Sequence, residues 1–132
     1  MSDKVRRRLM QELQKHNIDA YLAYTPSNLF YTTGFLSPVV ALSWRLMGTD
    51  LCLIPADPTL SPALITSDFV ETPARASTDI NDIRTYKMWV ENRDVDILSN
   101  SITRANLSRP PQWDQAEIHT ALRDILGERN LD

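Results

Sequence analysis

Breaking a bond needs a metal, an activated nucleophile or a poised proton donor and acceptor, and each demands particular residues at particular spacings. The chain carries 2 His, His16 and His119, with no H-E-x-x-H pair, and its one Cys, Cys52, offers no thiolate pair for zinc. Asp94 and Asp96 alternate around Val95, but a lone D-x-D in a polar stretch reads as a solvated loop. Asp79 and Asp82 read as loop and cap residues ahead of a strand. Ser27 follows a strand-like run and opens a helix-like one, as the serine of a nucleophile elbow does. Pro26 and Asn28 stand where that sharp turn needs small residues, so Ser27 reads as a capping residue. Cys52, between Leu51 and Leu53, reads as a small buried hydrophobe with no activating base in sight. No G-x-G-x-x-G follows the first apolar run, and 3 Gly against 8 Pro leave little material for a phosphate cradle.

Recognition is better supplied than catalysis. Tyr24, Asn28, Tyr31, Phe35, Trp44 and Arg45 gather aromatic faces and one guanidinium just beyond the first strand-like run, the edge at which open α/β sheets hold ligands. Arg45 is suited to a bidentate grip on a carboxylate, with an aromatic wall beside it. Tyr31 and Phe35 are expected to pack a short helix onto the sheet. For Trp44 and Arg45, a surface role and a ligand role stand level.

The elements that position these residues follow from periodicity. Val5, Leu9 and Leu13, with Met10, make an apolar stripe over residues 4–16, and Arg6, Arg7, Glu12 and Lys15 are placed on the opposite side. Residues 19–24 read as a buried strand. Thr25 or Ser27 caps a helix opened by Pro26 and closed by Gly34. The stretch from Phe35 to Ser43 is apolar and irregular. Residues 46–54 and 63–66 read as a hairpin across the Pro- and Asp-rich turn 56–62. Ser67 caps a short helix that Pro73 limits or kinks. Residues 83–87 form a fourth strand. Signals weaken over 91–112, then Asp114 to Glu117 resemble a capping box before a stripe of Ile118, Ala121, Leu122, Ile125 and Leu126, with Gly127 as the stop.

Composition sets the outer bounds. At 132 residues, with 42% hydrophobic and 23% charged, the chain suits one globular domain with a single real core. Its 17 acidic and 14 basic residues give a net charge of −3, without the cationic excess that nucleic-acid binding needs. The short basic run Lys4-Val5-Arg6-Arg7-Arg8 reads as a solvated helix face. With no apolar leader, no run long enough to span a membrane and an unpaired Cys, the expected location is cytoplasmic, with no membrane partner.

The run Ile18-Asp19-Ala20-Tyr21-Leu22, followed by Pro26-Ser27-Asn28-Leu29-Phe30-Tyr31-Thr32-Thr33-Gly34-Phe35, resembles the N-terminal domain of the creatinase/prolidase/aminopeptidase P family. That family carries a "D-A-x-L" strand and then "P-x-N-x-x-Y-x-x-G-F". Leu51 to Pro55, Ala63 to Thr66 and Ile83 to Tyr86 look like its later strands. The resemblance implies an α/β fold, a mixed sheet flanked by helices on both faces, of the ribonuclease-H-like type. It also implies one domain over 1–132, with catalysis in a separate C-terminal pita-bread domain absent from this chain. There, two Asp, one His and two Glu would hold two divalent ions (Mn, Co or Zn), and no cofactor is expected in the chain itself. The implied partners are that catalytic domain, a second copy in a homodimer, and a proline-containing peptide or guanidino-acid substrate. By the same analogy Arg45, Trp44 and Phe35 reach substrate across the dimer. Two departures stand out: Phe35 to Met47 is poorer in glycine than typical prolidases, and the 91–112 segment is longer than the family's usual connection. The alternative on residues alone is a stand-alone α/β module binding a small carboxylate or a protein.

Overall fold

The apolar stripe near the N-terminus folds as helix α1 (Ser2–Lys15), with Leu13 buried and Leu9 and Met10 packed on the core. The computed structural model describes residues 2–43, 50–88 and 115–131. The expected strand residues 46–49, the 91–112 segment and the Asp114 cap lie outside the described residues. One expectation on α1 is corrected. Arg6, placed on the solvated side, is 5% exposed. Its position three, four and seven residues before Leu9, Met10 and Leu13 puts it on the same stripe. Burial is tolerated because both terminal nitrogens of its guanidinium are engaged: Nη1 donates to Thr32 O at 2.6 Å, and Nη2 donates to Asp79 Oδ1 and Oδ2 at 2.8 and 2.7 Å.

Strand β1 (Ala20–Ala23) leads into α2 (Pro26–Thr33). Thr25 caps α2 by accepting from the Asn28 N–H, Pro26 occupies the first turn, and Gly34 closes the helix at φ 77°, donating its N–H to Phe30 O at 2.8 Å. The stretch expected to be irregular instead contains α3 (Pro38–Ser43). Its start repeats the logic of α2: Ser37 Oγ accepts from the Val40 N–H at 3.3 Å, and Pro38 takes a position where no N–H partner exists anyway.

Strands β2 (Leu51–Pro55) and β3 (Ala63–Ser67) form the expected antiparallel hairpin, pairing Leu51 with Ile65 and Leu53 with Ala63. Asp57 braces its turn by accepting from the backbone and hydroxyl of Thr59. A single 3₁₀ turn (Asp68–Val70) then precedes α4 (Glu71–Ser77), in which Pro73 sits within the first turn and leaves the helix intact. Ser67 makes no side-chain cap there. Strand β4 (Asp82–Tyr86) pairs parallel to β3, and α5 (Gln115–Glu128) closes the described chain. Gly127 lies inside α5 rather than ending it. The stop is Asn130 at φ 51°, with Asn130 N–H to Gly127 O and Leu131 N–H to Leu126 O forming a Schellman pair. Asn17, at φ 53°, ends α1 in the same way.

The sheet is mixed, in the order β1-β2-β3-β4, with only the last pair parallel. Strand residues alternate between two apolar clusters, as the two-residue pleat requires. Cys52, Ile54, Leu64 and Ile83 face α1 to α4 with Leu29, Phe35, Val40 and Ala74, whereas Leu51, Leu53, Ala63 and Ile65 face Ile118 and Ile125 of α5. Helices therefore cover both faces, as expected.

Candidate functional site

The strand register brings several polar side chains to one end of the sheet. Ser67 at the end of β3 pairs with Tyr86 at the end of β4, and Asp50 immediately precedes β2 alongside them. Asp50 is 1% exposed. Its Oδ1 accepts from the Tyr86 hydroxyl at 3.3 Å. Asp50 Oδ2, Thr66 Oγ1 and Ser67 Oγ are buried without a hydrogen-bond partner among the described residues. Burial pushes the Asp50 carboxyl up to about 6, against the pull of the Ser37, Thr66 and Tyr86 hydroxyls and the Ser67 backbone. Burial, helped by the Asp50 carboxylate, also drives the Tyr86 phenol well above its ordinary range. Nearby, Asp68 Oδ1 accepts from the Met88 N–H at 3.1 Å.

Helix α2 carries exposed aromatic side chains. Helix α2 buries Leu29, Thr32 and Thr33, spaced three and four apart, which turns Phe30 and Tyr31 outward. Tyr31 is 54% exposed, so the expectation that it packs α2 onto the sheet is corrected; its ring lies 6.1 Å from that of Phe30. Asn28 Nδ2 donates to the Tyr21 hydroxyl at 2.6 Å, tying α2 to β1. Tyr24, Leu36 and Phe69 are also exposed. Phe35 is in the core with Leu29 and Val40. Trp44 and Arg45 lie outside the described residues, so the described structure brings no two of these three candidates together.

On the other side of the sheet, Arg129 Nη2 donates to Asp82 Oδ2 at 2.6 Å, and Arg84 bridges Asp82 to Glu128. Burial raises the Asp82 carboxyl, but the two guanidiniums outweigh it and hold the group below the usual carboxylate range. An open groove of about 590 Å³ runs between β4 and α5, lined by Arg84, Thr85, Glu117, Thr120 and Asp124. Glu117 Oε2 accepts from the Lys87 N–H at 3.0 Å, and the expected capping box lies outside the described residues because Asp114 does.

These groups suit binding and structural roles. Burial pushes the Cys52 thiol up to about 12, which the Thr32 hydrogen bond and the Arg6 charge only partly offset, so the sulfur is not a nucleophile. His16, in the turn after α1, and His119, on α5, are both exposed. Among the described residues no three His, Cys, Asp or Glu side chains converge. No described helix is long and apolar enough to cross a membrane. The Asp50–Tyr86 cluster escaped the reading of the sequence. Its one signal was an acid directly before an all-apolar strand, Asp50-Leu51-Cys52-Leu53-Ile54.

Residues 6–132 match the family model described as the creatinase/prolidase N-terminal domain. The chain belongs to that family. Solved structures agree on the fold of this creatinase/prolidase N-terminal domain. The N-terminal domain of an X-Pro dipeptidase from Streptococcus pyogenes aligns with a TM-score of 0.53 at 14% identity, over 80% of this chain and 72% of that one. The N-terminal domain of the cytoplasmic peptidase PepQ from Mycobacterium tuberculosis H37Rv gives 0.50 at 21% identity, over 61% of this chain. The match spans about half (53%) of that protein's chain. A proline dipeptidase from Streptococcus agalactiae 2603V gives 0.51 at 18% identity, over 75% and 67%. No curated protein matches the chain.

Proposed function

We propose that this domain is the non-catalytic N-terminal part of a metal-dependent hydrolase acting on Xaa-Pro peptides, or on a guanidino acid such as creatine. It serves dimerisation and recognition of the substrate end remote from the scissile bond. The family match across residues 6–132 carries the reading. It is supported by solved relatives described as X-Pro and proline dipeptidases. The two ions belong to the catalytic domain. Within this chain Arg45 holds the substrate carboxylate, with Trp44 and Phe35 forming or backing the wall beside it. A free, deeply buried Cys52 suits a reducing, cytoplasmic setting.

The physical logic is charge and shape complementarity at one end of a ligand whose reacting bond is held elsewhere. Arg45→Ala in the enzyme that joins this domain to its catalytic half should raise KM about tenfold or more, the worth of one charge-assisted pair, with kcat much less affected. Unchanged KM removes Arg45 from the site. Xaa-Pro hydrolysis by the 132-residue chain alone overturns the division of labour.

A further inference from the structure

A carboxyl group this deeply buried needs either a cation or a proton. No Lys, Arg or His among the described residues pairs with Asp50, and the only titratable groups the described structure sets near it are the Tyr86 phenol, in direct contact, and Asp68, which acts on that phenol. Its surroundings are otherwise the hydroxyls of Ser37, from the turn before α3, and of Thr66, near the end of β3, together with the Ser67 backbone. Three oxygens there, Asp50 Oδ2, Thr66 Oγ1 and Ser67 Oγ, are buried without partners among the described residues. Hydroxyl oxygens accept as readily as they donate, so a proton on Oδ2 gives Thr66 or Ser67 the bond it lacks, while Oδ1 keeps the Tyr86 hydroxyl. An ionised carboxylate at the same place must instead draw its stabilisation from neutral donors alone, the hydroxyls and the Ser67 backbone.

We propose that Asp50 is a proton-operated latch: as the neutral acid it ties the start of β2 to the ends of β3 and β4, and on ionisation it loosens that end of the sheet. Neither the hydrolase reading nor the family match depends on this. The sign follows from where the proton is bound. The folded chain holds it more tightly than the unfolded chain, so the latch adds most stability below the ordinary carboxylate range. That contribution is lost as the pH rises towards about 6, and the penalty is constant above it.

Two measurements test the latch on the 132-residue chain. The first follows the Asp50 side-chain carboxyl carbon by NMR from pH 3 to 8, with Asp50→Asn used to assign the resonance. A midpoint near 6 supports the latch, and a midpoint in the ordinary carboxylate range overturns it. The second compares thermal unfolding of the two chains across the same interval. Asparagine keeps the shape, donates from Nδ2 and cannot ionise. It should therefore gain on the parent chain as the pH rises, by about 5 °C or more between pH 4 and 8. Parallel curves would overturn the proposal. If Asp50→Asn fails to fold, resonance assignment through the Asp50 backbone keeps the first measurement decisive.

Discussion

The two faces of the sheet are built on different plans. One is covered by four helices, α1 to α4, and its apolar cluster is threaded with polar ties: Arg6 to Thr32 and Asp79, and the Thr33 hydroxyl to Leu29 O and Phe35 N–H. The other is covered, among the described residues, by α5 alone, through Ile118 and Ile125, with its charges confined to the rim. Four helices share the load on the first face, and α2, α3 and α4, at 8, 6 and 7 residues, are too short to be stable by themselves. On the second face, among the described residues, a single amphipathic helix of 14 residues, no longer than α1, carries it alone. The first face should therefore lose stability in small, local steps and the second in one large step.

The largest expected effect breaks that second face. Ile125→Ala removes a fully buried side chain from the only described helix on its side of the sheet, and should cost about 2–5 kcal/mol in urea unfolding. Hydrogen exchange should show α5 amides losing protection before those of α1. Equal loss in both helices would mean that the two faces are one cooperative unit and that the contrast drawn here is only architectural.

A polar tie on the first face should matter less. Arg6→Met keeps the stem packed but leaves the Thr32 carbonyl without its donor and Asp79 without its cation. Asp79 is half exposed and recovers water, so the expected cost is about 1–3 kcal/mol, most of it from the carbonyl. Burial raises the Asp79 carboxyl, yet the Arg6 hydrogen bond and charge prevail and hold it low. Its contribution is thus present above the ordinary carboxylate range and fades as the pH falls through its folded value. The gap between Arg6→Met and the parent chain should narrow on acidification, the opposite sense to the Asp50 latch. A gap that stays constant with pH would assign the role of Arg6 to packing and the Thr32 contact alone.

The same contrast explains what could be read from the residues. The sheet, the hairpin and α5 follow from periodicity, because each buries an apolar pattern of two or 3.6 residues. Capping chemistry, with Thr25, Pro26 and Gly34 in their expected places, placed α2 and its stop correctly. Readings failed where a polar group took an apolar role or an apolar one faced water. Arg6 sits on the buried stripe because Asp79, 73 residues away, satisfies it, and Tyr31 turns outward because two threonines hold the inner face of α2. The hydroxyls of Thr32 and Thr33 make that possible by bonding back to Asn28 O and Leu29 O. Asp50 is a third case, since its neighbours Thr66 and Tyr86 are brought to it only by the strand register. Helix stops divided on chemistry. Gly34 obeyed the glycine expectation, whereas Asn130 outranked Gly127 because an asparagine tolerates the left-handed conformation and the apolar Leu131 follows it.

The smallest effect concerns that Gly34 stop, where α2 meets α1 and α4. At φ 77° any L side chain is strained, and a Cβ would lie 3.3 Å from Ser77 O and 3.5 Å from Ser2 Oγ. The Ser2 hydroxyl can rotate away, but the Ser77 carbonyl belongs to the end of α4 and must shift with it. Gly34→Ala should therefore cost about 1–2 kcal/mol, chiefly from the left-handed backbone. The matched test on the second face is Gly127, where an added Cβ meets nothing within 4 Å, inside the last turn of α5. Gly127→Ala should stabilise by up to about 1 kcal/mol, because alanine favours the helix. Two glycine-to-alanine changes of opposite sign, read from urea midpoints, would show that the first face depends on a left-handed stop at Gly34, whereas Gly127 is an ordinary helical position. A gain at both positions would mean that α2 can end without its left-handed residue, and that the first face is looser than its polar ties imply.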